Sequence, residues 1–187
     1  MTRFDRVSAM ETVECMPESV VLEHTFVFAA LESEAQHHSA ASDFLERLTS
    51  AGTRLLFTDL LELQLHDRAF ATARLAASSR QGSTRRLTSG EQVELARAFL
   101  GRWRAVLMHS DAVHVEVSDL MEDLMYYSER FRLSSSSAVH AALVMAADAD
   151  GLVTVDPSFG VVDASLLPLF LPADVVRFVG RGRALRA

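Results

Sequence analysis

Short apolar runs alternate with longer amphipathic stretches along this chain. Val20 to Leu22, Leu55 to Phe57 and Leu152 to Asp156 read as strands, the last fully buried. HVEV at 114–117 alternates as a further short strand, and ADVVRFV at 173–179 reads as the last one. Between them lie helical spacings. FVFAALESEA starts one at Phe26. In AASDFLERLTSAG the residues Ala41, Phe44, Leu45 and Leu48 share a face, and Gly52 ends the run. Thr58 or Asp59 can cap the next helix, over 60–77. Residues 91–107 place Val93, Ala96, Phe99, Leu100 and Trp103 on one side. A helix capped by Ser118 follows, and another begins within Ser134 to Ser137 and ends at Gly151. Met121, Met125 and Met145 fall at helical spacing and are expected to fill core.

Strands alternating with helices predict an α/β fold with a mainly parallel sheet. The 187 residues suit one domain, with residues 1–18 as an N-terminal arm or irregular cap and 19–187 as a single domain. Half the residues are apolar, yet no run approaches the roughly 20 needed to span a bilayer. The polar N-terminus does not resemble a secretory signal, and a single cysteine, Cys15, allows no internal disulfide. These features predict a cytoplasmic protein without a membrane partner.

Charge narrows the partners. A net charge of −7 argues against broad nonspecific nucleic-acid binding. Arg80, Arg85 and Arg86 nevertheless cluster in one predicted loop and are candidate RNA contacts, although such a cluster is more commonly plain solvated surface. Arg177, Arg181, Arg183 and Arg186 crowd the C-terminus in the same way. Neither a glycine-rich phosphate loop nor a nucleophile elbow is present. His37 and His38 are adjacent, so on a helix they diverge by about 100° and cannot share an ion. His140, inside AVHAALV, is expected to be a hydrogen-bonded packing residue.

Two acids stand at strand ends, Glu23 and Asp156. In an open parallel sheet the carboxyl ends of the strands form the crevice that binds ligands. If the two strands are neighbours, these acids meet there.

The words around them carry a resemblance. VVLEHTFVFAAL, LLFTDLLELQL and RLSSSSAVHAALVMAADADGLVTVDPSF, in this order, resemble the PIN-domain nucleases, most closely the VapC-like toxins of bacterial toxin–antitoxin pairs. The likeness runs from about residue 19 to 179, and its last block is the most specific. It implies a PIN-like three-layer α/β/α sandwich and a cluster of carboxylates that binds Mg²⁺ or Mn²⁺ for RNA cleavage.

The positions matching the four family acids are Glu23, Gln64, Ser137 and Asp156. Glu23 is one methylene longer than the family's Asp, and Gln64 and Ser137 are neutral. Glu23 and Asp156 are then the candidate metal ligands. Asp59, at a helix start near the sheet edge, is the nearest replacement, beside its ordinary capping role. Each lost carboxylate removes a few kcal/mol of transition-state stabilisation, about a hundredfold or more in rate. The resemblance therefore implies a PIN-like domain with an eroded metal site, non-catalytic or weakly active, that binds RNA or a protein partner and needs Mg²⁺ or Mn²⁺ only if active. The alternative is a divalent-metal endoribonuclease of a toxin–antitoxin system. An antitoxin-like protein and a second copy of the chain are both open as partners.

Overall fold

The computed structural model describes residues 7–79, 88–162 and 166–184. Six strands form one sheet: β1 (Val7–Ala9), β2 (Ser19–Leu22), β3 (Arg54–Thr58), β4 (Ala112–Val115), β5 (Leu152–Val153) and β6 (Leu169–Leu171). Their order is β1-β6-β5-β2-β3-β4, and every pairing is parallel. The helices are α1 (His24–Leu31), α2 (His38–Ser50), α3 (Asp59–Ser79), α4 (Ser89–Met108), α5 (Met121–Phe131), α6 (Ser135–Ala146) and α7 (Ala173–Ala184).

Side chains alternate along the strands and so feed two cores. Val20, Leu22, Leu55, Phe57, Val153 and Phe170 point to one face, where Phe26, Phe44, Leu48 and Trp103 from α1, α2 and α4 cover them. Val21, Leu56, Leu152, Leu169 and Leu171 point to the other, against Phe131, Leu143, Val175 and Val179 from α5, α6 and α7. The result is a three-layer α/β/α sandwich. Burial on both faces explains why the inner strands are near-continuous apolar runs. No described helix is long and apolar enough to cross a membrane.

Several sequence expectations are corrected here. The N-terminal arm contributes a strand: β1 pairs with β6 from Val7↔Leu169 to Ala9↔Leu171, and Met10 just after it is fully buried. ADVVRFV is helical, within α7. Val175 and Val179 are buried one turn apart, and the backbone N–H of Val176 donates to the Pro172 carbonyl at 3.0 Å. The strand in this region is β6, immediately before it. HVEV shifts two residues back to β4. Ser118 does not cap α5; it lies in a 3₁₀ turn over Val117–Leu120, and its hydroxyl donates to Glu116. Met121 and Met125 are 54% and 72% exposed and Met145 is also exposed, so helical spacing gave the period but not the face. Arg80, Arg85, Arg86 and Arg186 lie outside the described residues.

Gly151 does not end α6. The helix closes at Ala147, with Asp148 beyond it in the left-handed region at φ 48°. Gly151 serves the sheet instead. A Cβ there would sit 2.8 Å from the Pro168 carbonyl oxygen and 3.0 Å from the Phe170 ring. The obstacle is backbone, so Gly151→Ala must push β5 and β6 apart. We expect a loss of about 1–3 kcal/mol in urea denaturation, as for other overpacked sites.

Candidate functional site at the carboxyl edge of the sheet

From β2 the chain builds outward through β3 to β4, whereas β5 leads to β6 on the other side. Strand order reverses between β2 and β5, which makes this the point where the loops diverge and a crevice opens. Leu22 pairs with Val153, and the Glu23 amide donates to the Val153 carbonyl at 3.1 Å. Glu23 and Asp156 thus follow the two strands that flank the switch point.

Their carboxylates have different surroundings. Glu23 is 2% exposed and caps α1. Its Oε2 accepts from the Thr25 amide at 2.9 Å, from the Thr25 hydroxyl, and from the Thr154 hydroxyl at 3.0 Å. His24 Nδ1 abuts Oε1, in close contact though without hydrogen-bond alignment. Burial alone raises the carboxyl pKa. The His24 contact, the charges of His24 and His140 and the Thr25 bond outweigh it and bring the value down to about 2. The side chain is an internal anion whose acceptor sites face protein donors.

Asp156 is half-buried and caps a 3₁₀ turn over Pro157–Val161. Its Oδ1 accepts from the Ser158 amide and its Oδ2 from the Ser158 hydroxyl, both at 2.8 Å. Thr154 joins the two acids. Its hydroxyl donates to Glu23 and accepts from the Asp156 amide at 3.0 Å. Asp156 also lines a cleft of about 640 Å³ with Thr25, His37, Arg68 and Asp174, where Arg68 lies 4.8 Å over the Phe28 ring.

The other predicted positions make contacts of their own. Asp59 Oδ1 accepts from the Val117 amide at 2.9 Å, so it ties the start of α3 to the turn after β4. Thr58, not Asp59, caps α3, accepting from the Leu61 amide at 3.3 Å. Gln64 is half-buried on α3 and its Oε1 has no hydrogen-bond partner. Ser137 sits in the first turn of α6, its amide donating to the Ser134 cap.

Among the described residues, the group of acids and histidines whose ligand atoms lie within 4.8 Å of one another is Glu23, His24 and His140. His140 is 1% exposed, and neither of its ring nitrogens has a hydrogen-bond partner. Its packing role is as expected, but its hydrogen bonding is not. Burial lowers its pKa, against the pull of the Glu23 charge and with the push of His24, to about 4. The sequence held one signal for it: His140 is three residues past Ser137, on the same side of α6 and one turn further in.

No family model matches the chain, and no curated protein matches it. Among solved structures, the crystal structure of FitAcB from Neisseria gonorrhoeae is similar at a TM-score of 0.48 and 12% identity, over 81% of this chain and 96% of that one. A likeness of that size carries no conclusion about chemistry.

Proposed function

We propose that this chain is a PIN-like, VapC-related domain whose acidic centre is eroded, retained for binding a partner rather than for cutting RNA. The observation that carries this reading is the inward carboxylate of Glu23. The acid after β2 stands at the carboxyl edge of the sheet, yet its Oε2 is taken up by Thr25 and Thr154 and its Oε1 lies buried against His24. Gln64 and Ser137 add no charge. Mg²⁺ requires a near-octahedral set of oxygen ligands, and here the cleft offers two acids, Asp156 and Asp174, the second lying 3.4 Å from His37 Nδ1. The residues do not fit that ion, so no hydrolytic step is assigned to it.

A protein is the favoured partner. The net charge of −7 opposes phosphate, while α5 presents Met121, Met125 and Tyr126 to solvent. The competing reading, a metal-dependent endoribonuclease, rests on Asp156 and Arg68 sharing one cleft.

The test is RNA cleavage in Mg²⁺ and in Mn²⁺, beside an Asp156→Ala control that leaves the Glu23 network intact. We expect no metal-dependent product above the control. Cleavage by the parent that Asp156→Ala abolishes would establish the nuclease instead.

A further inference from the structure

We propose that Glu23, His24 and His140 bind a divalent transition-metal ion of the zinc class through one carboxylate and two imidazoles. The inference stands on these three side chains and goes beyond the reading above, which concerns the carboxylates facing the cleft.

Three features support it. First, the ligand atoms already lie within 4.8 Å of one another. Metal–ligand bonds of about 2.0–2.2 Å at tetrahedral angles place neighbouring ligands roughly 3.3–3.5 Å apart, so an ion enters once the close His24–Glu23 contact opens and His140 stays within reach. Second, His140 is a fully buried imidazole with two unpartnered nitrogens. Leaving a buried polar group unsatisfied is costly, and a ligated ion would relieve one of the two nitrogens. Third, the carboxylate is held ready. Thr25 and Thr154 fix Oε2, which leaves Oε1, beside His24 Nδ1, as the ligating oxygen. Outer bonds of this kind orient the ligands of metal sites.

The donor set selects the ion. Two imidazoles and one carboxylate suit Zn²⁺ and its transition-metal neighbours, whereas Mg²⁺ favours oxygen. Placement gives the ion a consequence. His24 and Glu23 belong to the β2–α1 junction on one face of the sheet, and His140 belongs to α6 on the other. A bound ion would clamp the two helical layers together at the switch point. His24, whose side chain is 22% exposed, gives it access from solvent.

The experiment uses the full chain, stripped with a chelator and titrated with Zn²⁺ or Mg²⁺ by calorimetry and thermal melting, with Co²⁺ loading for its visible spectrum. We expect one Zn²⁺ per chain, a raised Tm, a Co²⁺ spectrum of low coordination number, and no effect of Mg²⁺ at equal concentration. His24→Ala, at a partly exposed position, should weaken Zn²⁺ binding by about a hundredfold or more, beyond the effect of losing an outer-shell bond. His140→Gln should do the same if it folds, and His66→Ala, at an exposed site, should change nothing. The absence of stoichiometric Zn²⁺ binding would overturn the proposal. So would binding that survives His24→Ala, is lost with His66→Ala, or is matched by Mg²⁺. RNA cleavage plays no part in these readouts, so the proposal and the non-catalytic reading fail separately.

Discussion

Glu23→Ala is expected to destabilise the protein by about 3–5 kcal/mol, the combined cost of losing a helix cap and leaving two buried hydroxyl donors without their charged acceptor. The substitution deletes the cap of α1 and strands the hydroxyls of Thr25 and Thr154 in the crevice wall. It also leaves His24 and His140 without the anion they face. A domain of ordinary stability has about 5–15 kcal/mol in total, so the variant should sit near the edge of folding. Asp156→Ala removes only the cap of a short 3₁₀ turn at a half-buried site, worth about 1 kcal/mol. Urea denaturation of the two variants beside the parent measures the difference. A Glu23→Ala loss under about 1 kcal/mol would show that the carboxylate is not committed to the interior.

The second large effect is acid destabilisation of the metal-free protein in two steps. His140 has a folded pKa of about 4 against an ordinary 6.5. Between those values the unfolded chain binds a proton that the folded protein refuses, so stability falls as pH drops from about 6.5 to 4. Glu23 is lowered from 4.5 to about 2. Its contribution is complete above pH 4.5 and is lost as pH falls toward 2. Each window spans about 2.5 units and is worth on the order of 3 kcal/mol. The two groups face each other, so their contributions are not independent. Denaturation midpoints measured with chelator from pH 7 to 3 should fall throughout, and His140→Gln should flatten the upper window. Constant stability of the parent between pH 6.5 and 4 would contradict the burial of a neutral imidazole.

The inner sheet was legible because its strands are buried on both faces and so are written as apolar runs. α2 and α4 were legible because one face repeats at 3.6 residues. The edges were not. β1 is three half-buried residues whose partner, β6, lies at the far end of the chain, and no local pattern marks such a pairing. The segment of α7 reads as a strand in the sequence because its β-branched pair, Val175 and Val176, masks the one-turn spacing of Val175 and Val179. Period alone cannot orient a helix, and so it does not reveal that Met121, Met125 and Met145 face solvent. At the site, the strand-end positions of Glu23 and Asp156 could be read from order and topology. The direction of the Glu23 side chain could not. It depends on Thr154 and His140, which reach it from distant segments, and His140 carried a pattern indistinguishable from packing.

The reading of this crevice turns on the Glu23 carboxylate, and NMR can observe it directly. The side-chain carboxyl carbon of Glu23, followed from pH 7 to 2 and then titrated with Mg²⁺ at neutral pH, tests it. The predicted result is a carboxylate that stays ionised until about pH 2 and does not shift with Mg²⁺. A carboxylate that titrates near its ordinary 4.5 and moves with Mg²⁺ would show a solvent-facing metal ligand and contradict the account.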